Sequence, residues 1–543
     1  MATVTGAPAA APKLGGRLAW TALILVALTQ AMSMVDRQIL AILAPRIKEH
    51  LQVGDAELGM LYGTVFAVFY ALFSLPLGRL ADGWIRTRLL SVAITGWSLM
   101  TALAGFAQNF ATLAATRLGV GIGEASVIPA GMSLLSDMFP REKRGMISAM
   151  IAAAIALGLG GAIWLGGAVA DAWDAAWPAG GAPLGLVGWQ AAFVVAATPG
   201  FLLGLALLFL PEPQRGVADG IPPPEDPHVF RESGSVLMQI LPGLAWIYLA
   251  RRRAPARTWA INILGLVAVI VLGVLLTGWT NGLRPTNAVA LRVGALELSG
   301  NALQWTISCA GLYILLCWSQ ALRLRDRPSF EIFFKTPALN AIVAIAVLQT
   351  VINYALMGWT PTYLVRHFDQ SLGEVGAIFG PISAAVGILG PLIAGPVSDF
   401  FRKLHPSGRL FVLLGSMVLS PLAAILVYNS QSLTGFYLLF VLLSILTTLW
   451  LPPVYASVLD LVLPRMRGTM MSYYTLITTI LGLGLGPYAV GLISDITGDI
   501  GGAILAMYWV SPVIVLLTLF AIRRLPGDEA AVLDRARAAG EPV

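Results

Sequence analysis

Charge is scarce in this chain of 543 residues. Asp, Glu, Lys and Arg make up 11% of it, where water-soluble domains carry about 25%. Hydrophobic residues make up 57%. The shortage of charge excludes a soluble globular fold and assigns the chain to a lipid bilayer. Cysteine is nearly missing. Cys309 and Cys317 stand eight residues apart in one apolar run, about 12 Å along a helix axis, which is too far for a disulfide. Histidine is equally sparse, and His50, His228, His367 and His405 show no metal-ligand spacing. No nucleophile elbow and no phosphate-binding glycine loop with its lysine occurs. An enzyme, a metal centre, a cofactor and ATP-driven work are therefore not expected. Met1 to Pro12 lacks the order of a signal peptide. Lys13 and Arg17 place this end, read as a disordered arm over 1–17, on the cytoplasmic side.

The charges that do occur are informative by position. A net charge of +6 is compatible with nucleic acid, but the basic residues cluster beside apolar runs. They fall at Arg86 and Arg88, Arg141 to Arg144, Arg251 to Arg253, Arg402 and Lys403, Arg465 and Arg467, and Arg523 and Arg524. The stretches around Asn109, Asp171 to Gly188, Asn429 and Asp495 to Asp499 carry no Lys or Arg, and that from Arg46 to Glu57 balances its basic residues with acids. This is the positive-inside pattern of cytoplasmic loops, so the partner is membrane lipid and no nucleic acid is expected.

Apolar runs of roughly 20 residues or more cross a bilayer as helices. Six fall at about 18–45, 57–80, 88–107, 110–138, 145–171 and 186–210. Six more fall at about 337–366, 373–400, 409–429, 433–462, 469–495 and 501–523. Between them lie two further runs at about 259–279 and 302–322, after a Pro-rich segment from Pro211 to Pro227. Basic residues flank this pair on its outer ends, so it reads as a hairpin that starts and ends in the cytoplasm, with an interfacial placement of one member as the alternative. The expected fold is an all-α membrane protein of fourteen transmembrane helices. Its parts are a bundle over 18–210, a cytoplasmic linker with the inserted hairpin over 211–336, a second bundle over 337–524 and a tail over 525–543.

The two sets of six are duplicates. Gly78-Arg79-Leu80-Ala81-Asp82 with Arg86 and Arg88 is repeated as Gly395-Pro396-Val397-Ser398-Asp399 with Arg402 and Lys403. Asp137 and Arg144-Gly145 return as Asp460 and Arg467-Gly468 with the same spacing. Gly158, Gly160, Gly161 and Asp171 are echoed by Gly482, Gly484, Gly486 and Asp495. Paired halves are how alternating-access transporters are built.

These motifs resemble the major facilitator superfamily across all twelve principal spans. Gly78, Asp82, Arg86 and Arg88 match its loop between helices 2 and 3, and Arg117-Leu118-Gly119-Val120-Gly121 matches its helix 4 motif. Within the superfamily, Met34-Val35-Asp36-Arg37, Gly121-Ile122-Gly123-Glu124-Ala125-Ser126 and Asp137 to Pro140 are similar to the Spinster-like transporters. Those have twelve spans in general, so the added pair is a departure that weakens transfer of substrate. The resemblance implies a major facilitator fold and coupling through the helix 1 acid–base pair and the helix 4 Glu. It also implies lysolipid- or sphingolipid-like cargo in some relatives.

Ionisable side chains deep in a membrane helix mark a substrate or ion path. Asp36, Arg37, Arg117 and Glu124 are such residues, all in the first half. If the first and fourth spans adjoin, Asp36, Arg37 and Glu124 share one neighbourhood. Burial pushes a carboxylate toward neutrality and a nearby arginine pushes it toward charge. Glu124, with Asp36 and Arg37, is therefore the expected proton-coupling group. The second half offers neutral hydrogen-bonding and aromatic groups: Gln349, Asn353 and Tyr354, then Tyr455, then Tyr473. Together with Arg37 and Arg117 they are the candidate substrate contacts, or else ordinary helix packing. Gly78, Asp82, Arg86 and Asp137 are expected to form a gating charge cluster, with Arg144 and the repeats Asp399, Asp460 and Arg467 as a second, partial latch. Pro361, Pro381, Pro391 and Pro396 are expected to interrupt the seventh and eighth principal spans.

The function expected is a proton-coupled secondary transporter of a bacterial inner membrane, with both termini cytoplasmic. Its cargo would be an amphiphilic or lipid-like organic molecule. A small organic anion received by Arg37 or Arg117 is the alternative within the class, and a non-transporting membrane sensor is the alternative outside it.

Overall fold

The computed structural model describes residues 14–140, 143–178, 181–215, 228–284, 289–293 and 296–541. The arm up to residue 13, Arg141 and most of the Pro-rich linker, 216–227, lie outside the described residues. Among those described, fourteen helices are long and apolar enough to cross a bilayer. Helices are the natural outcome, because backbone groups in lipid must be satisfied within their own segment. The first bundle holds α1 (Arg17–Leu51), α2 (Asp55–Gly83), α3 (Arg86–Ala104), α4 (Phe110–Met138), α5 (Met146–Ala176) and α6 (Gly188–Leu208). The insertion holds α7 (Ala256–Leu283) and α8 (Gly300–Arg325). The second bundle holds α9 (Pro337–Phe368), α10 (Leu372–Leu404), α11 (Gly408–Tyr428), α12 (Leu433–Asp460), α13 (Pro464–Thr497) and α14 (Ile500–Ala530). A small antiparallel hairpin, β1 (Val289–Val293) and β2 (Leu296–Ser299), joins α7 to α8. Cys309 and Cys317 are both free and buried.

Two features depart from the sequence expectation. The prolines do not interrupt α9 or α10, which run unbroken through Pro361 and through Pro381, Pro391 and Pro396. Losing single N–H donors leaves the helical path intact. The irregular points lie elsewhere: α4 turns at Ala125 and Ser126, directly after Glu124, and α12 turns at Leu449 and Trp450. A π segment, Thr478–Leu483, lies within α13. Second, the linker contains a bent pair of short helices, Val229–Ile240 and Leu244–Arg251, meeting at 105°. Each piece is too short to cross alone. The bend falls at Pro242 and Gly243, the latter at φ +84°, a conformation open to glycine.

Arg86 and Arg409 stand at one end of the molecule, the basic end, and Asp55, Asp171 and Asp495 at the other, the far end. The bundles meet most closely where α2 lies on α13 and α5 on α10. A β-carbon at Gly59 would sit 2.2 Å from the Pro487 carbonyl oxygen, and one at Gly160 would sit 2.2 Å from that of Gly380. Small residues permit this approach in lipid, where packing supplies the cohesion. Gly160→Val should therefore wedge α5 from α10, at about 1–3 kcal/mol. The expected result is a lower unfolding temperature in detergent and faster labelling of far-end cysteines; unchanged values for both would contradict the packing.

The far end is also latched by hydrogen bonds. Asp171 of α5 accepts the Gly373 amide of α10 at 2.7 Å. Asp495 of α13 accepts the Asp55 and Ala56 amides of α2 at 2.8 and 3.0 Å. The internal duplication relates the two contacts: in each, a carboxylate caps the first turn of the other bundle's second helix, where the dipole favours negative charge. The Asp55 carboxylate in turn accepts both Arg366 Nη groups at 2.7 Å, Lys48 at 2.7 Å and the Ser494 hydroxyl at 2.8 Å.

Candidate functional site

Midway along α1, two adjacent charged residues point in different directions, because successive helical side chains diverge by about 100°. Arg37 reaches α4, where its Nη2 donates to Glu124 Oε2 at 2.8 Å. Ser33, one turn earlier on the same face, donates to that oxygen at 2.8 Å. The guanidinium lies 4.4 Å from the Phe66 ring centroid and 5.0 Å from that of Tyr70, both on α2. Such cation–π contacts hold a desolvated guanidinium without neutralising it. Asp36 turns instead to α3, and its Oδ2 accepts the Trp97 indole N–H at 2.9 Å. It forms no ion pair with Arg37, so the expected shared charge cluster resolves into one ion pair and one hydrogen-bonded carboxylate.

Arg117 donates from Nη2 to the Asp36 backbone carbonyl at 2.7 Å. It lies within electrostatic reach of both carboxylates. Asp36, Arg117 and Glu124 are each at most 1% exposed and Arg37 is 8% exposed, so the site is sealed in this conformation. Among the described residues, Glu124 Oε1, Asp36 Oδ1 and Arg117 Nε and Nη1 have no hydrogen-bond partner. Glu124 thus presents one oxygen to a cation and keeps the other free. Ser33 and Trp97 escape sequence reasoning, because in the first bundle only the four deep charges stand out from the sequence.

Across from this site stands α9. Tyr354 comes within electrostatic reach of Arg37, and Gln349 is fully buried with neither amide atom partnered among the described residues. Tyr455 of α12 is 37% exposed and lies within electrostatic reach of Tyr354 and Tyr70. Its ring meets Tyr474 edge-on at 5.0 Å. Asn353 sits within the second bundle against the Thr447 carbonyl and Trp450 Nε1; with its amide oxygen and nitrogen assigned to match these groups, it donates to the first at 3.3 Å and accepts from the second at 2.7 Å. Tyr473 faces away, stacked on Trp318 of the insertion at 5.3 Å.

At the basic end the expected cluster forms with altered partners. Arg86 is fully buried and donates to Asp137 at 2.5 Å, to Glu212 at 2.7 Å and to the Ser133 carbonyl at 2.9 Å. Asp82 is not its partner. The last turn of α2 and Trp84 just beyond it are held by Arg215, which donates to the carbonyls of Ala81, Asp82 and Trp84. Burial and the nearby Arg86 hold the Arg215 pKa below the usual arginine value. Gly78 itself faces Pro129 of α4, 3.8 Å from where its β-carbon would be. Arg144 donates to the Ser136 carbonyl at 3.3 Å. In the second bundle Arg409 reaches both Asp399 and Asp460, while Arg467 is exposed at the start of its helical segment. By contact, then, Arg409 rather than Arg402 is the counterpart of Arg86. Glu212, Arg215 and Arg409 were invisible to motif spacing because two lie in the linker and one lies beyond the repeated phrase.

Comparison with known proteins agrees with this architecture. The Major Facilitator Superfamily profile matches residues 26–487, and again 342–542. An MFS-type efflux pump of Mycolicibacterium smegmatis is 26% identical over 525 residues, covering 96% of this chain and 94% of that one. Spinster homolog 1 of Rattus norvegicus is 26% identical over 476 residues, covering 86% and 71%. Among solved structures, a bacterial homologue of the human lysosomal transporter Spinster, in an inward-facing and occupied conformation, aligns with a TM-score of 0.62 at 20% identity over 95% of this chain and 97% of that one. A POT family transporter bound to a thioalcohol-conjugated peptide aligns with a TM-score of 0.61 at 16% identity, covering 94% and 96%.

Proposed function

The chain belongs to the Major Facilitator Superfamily, with a Spinster-like likeness, and on that premise we propose that it is a proton-coupled transporter of an amphiphilic organic molecule working by alternating access. That it is an integral membrane transporter and not an enzyme follows from the family. The observation that carries the finer reading is the buried Arg37–Glu124 pair, in which the second carboxylate oxygen has no partner among the described residues. Buried ionisable groups in a membrane span are expensive and mark ion paths.

In this reading Glu124 holds the proton and Arg37 is its counter-charge. Protonation of Glu124 weakens the pair and frees the guanidinium for the cargo's polar head. Asp36 and Arg117 keep α1, α3 and α4 in register. Tyr354, Tyr455 and Gln349 form the opposite wall, and Tyr70 and Phe66 flank the cation. One cation among aromatic rings suits a polar head on an apolar body. Asn353 and Tyr473 are engaged elsewhere and leave the candidate substrate contacts, while Arg117 keeps Nε and Nη1 unpartnered among the described residues and stays a candidate. The far-end latches support a conformation closed at that end, and the positive-inside distribution supports a cytoplasmic basic end with cytoplasmic termini. The clusters around Arg86 and Arg409 brace each bundle as a rigid body, and Asp82 and Arg467 serve the gate when the basic end closes.

The test is Glu124→Gln in proteoliposomes containing a pH dye. Gradient-driven uptake and substrate-linked proton flux should both vanish; undiminished proton flux would end the reading. Competition by lysolipids, and not by short carboxylic acids, is the expected cargo preference. The reverse preference would move the assignment to organic anions.

A further inference from the structure

The insertion differs in its two helices. Only 6% of the most apolar stretch of α7 is buried, against 56% for α8. The α8 helix lies along the seam between α2 and α13. A β-carbon at Gly311 would sit 2.6 Å from Ile480 of α13 and 3.4 Å from Val68 of α2. It carries a buried polar stripe, Asn301, Gln304 and Ser308, whose spacing puts them on one face. Tyr488 of α13 donates to Asn301 at 2.9 Å and meets Trp305 edge-on at 5.7 Å. Toward the basic end Trp318 stacks on Tyr473 and Asp326 pairs with Arg465 at 2.8 Å. The α8 helix therefore follows α13 along its length while also packing on α2, so it lies in the seam between the bundles.

At the far end the insertion also grips the first bundle. Arg284, just past α7, donates from Nη1 and Nη2 to the two Glu57 oxygens at 2.6 and 2.9 Å. The same Nη2 reaches Asp495 Oδ2 at 2.8 Å. Both side chains of the Arg284–Glu57 pair are at most 5% exposed. Asp495 is the carboxylate that caps α2 from the second bundle, and Glu57 lies in the first turn of α2 itself. A single guanidinium from a third element thus bridges the two surfaces that must part if the far end opens. Burial works against the Arg284 charge, but Glu57 and then Asp495 outweigh it and raise its pKa.

We propose that the inserted hairpin is a working part of the far-end gate, and that Arg284 is a positioning residue that clamps Glu57 of the first bundle to Asp495 of the second. The proposal rests on the alternating-access reading. Opening the far end parts Glu57 from Asp495, so Arg284 must release one of the two carboxylates and leave it without its charged partner. The insertion accordingly biases the resting protein toward the far-end-closed state and slows the opening step. The charge on Arg284 is needed for this and its contact with cargo is not, so the residue acts through Glu57 and Asp495.

The experiment uses full-length protein in liposomes with Cys309→Ala and Cys317→Ala, and Ala44→Cys as reporter. Ala44 is 4% exposed and borders a small void between α1, α2 and α9, which opens to the far face when the bundles part. Arg284→Gln should speed labelling by an impermeant maleimide about tenfold, while Arg284→Lys, which keeps the charge but not the fork, should fall between. Labelling of Arg284→Gln at the parent rate would overturn the proposal. Should that variant not fold, an Arg284→Lys rate equal to the parent's would overturn it instead. A merely structural role would lower thermal stability and leave the labelling rate where it was. A parent whose labelling ignores an imposed pH gradient would sink the proton-coupled alternating-access reading beneath, which separates the two failures.

Discussion

Replacing Arg37 by Met should destabilise the folded protein by about 3–5 kcal/mol, and adding Glu124→Gln to the same chain should return most of the loss. The single change leaves a carboxylate, fully buried at its side chain, with only the Ser33 hydroxyl as donor. Removing one partner of a buried pair forces the other to stay charged without compensation or to take up a proton. The double change removes both charges and leaves groups of similar shape, which is close to neutral in many buried pairs. Thermal unfolding of the four proteins in nanodiscs checks this as a double-mutant cycle. A double variant as unstable as Arg37→Met would show that the two residues are not one energetic unit. Transport should behave in the opposite way. Stability returns in the double variant, but concentrative uptake does not, because the titratable group is gone.

Asp55→Asn should open the far end. The carboxylate is 1% exposed and accepts four side-chain hydrogen bonds: two from Arg366 and one from Ser494, both across the bundle interface, and one from Lys48 on its own side. An amide retains one acceptor oxygen and loses the charge that makes these bonds strong. Arg366 and Lys48 are about one-third exposed at their side chains, so water takes up part of the loss. We expect about 1–3 kcal/mol, equivalent to a roughly 5- to 150-fold gain in far-face accessibility. Maleimide labelling of Ala44→Cys measures it. An unaltered rate would mean that glycine packing alone holds the far end. The effect should add to that of Arg284→Gln only in part, since Asp495 touches both Arg284 and the backbone of Asp55.

Much of the architecture is legible without coordinates, for a simple reason. Lipid requires about 20 apolar residues per crossing, so hydropathy marks all fourteen spans. The bent pair at Val229–Ile240 and Leu244–Arg251 escapes because each piece falls below that length. Proline misleads for the converse reason: it looks like a break in sequence, whereas α10 runs through three of them. The duplicated phrases locate the charged clusters at the basic end but not their partners. Arg86 takes Glu212 from the linker, and Arg409, not Arg402, takes Asp460.

From sequence alone come the number of crossings, the duplication of the halves and the four charges placed in lipid. Each is set by a local rule: span length, repeat spacing, or the cost of a charge away from water. Pairing is a matter of tertiary structure. Whether Arg37 faces Asp36 or Glu124 depends on which helix stands on which side of α1. Contacts between Asp55 and Asp495, or Glu57 and Arg284, join residues hundreds of positions apart. Hydrogen bonds act over about 3 Å, and only the packed bundles bring such donors and acceptors that close.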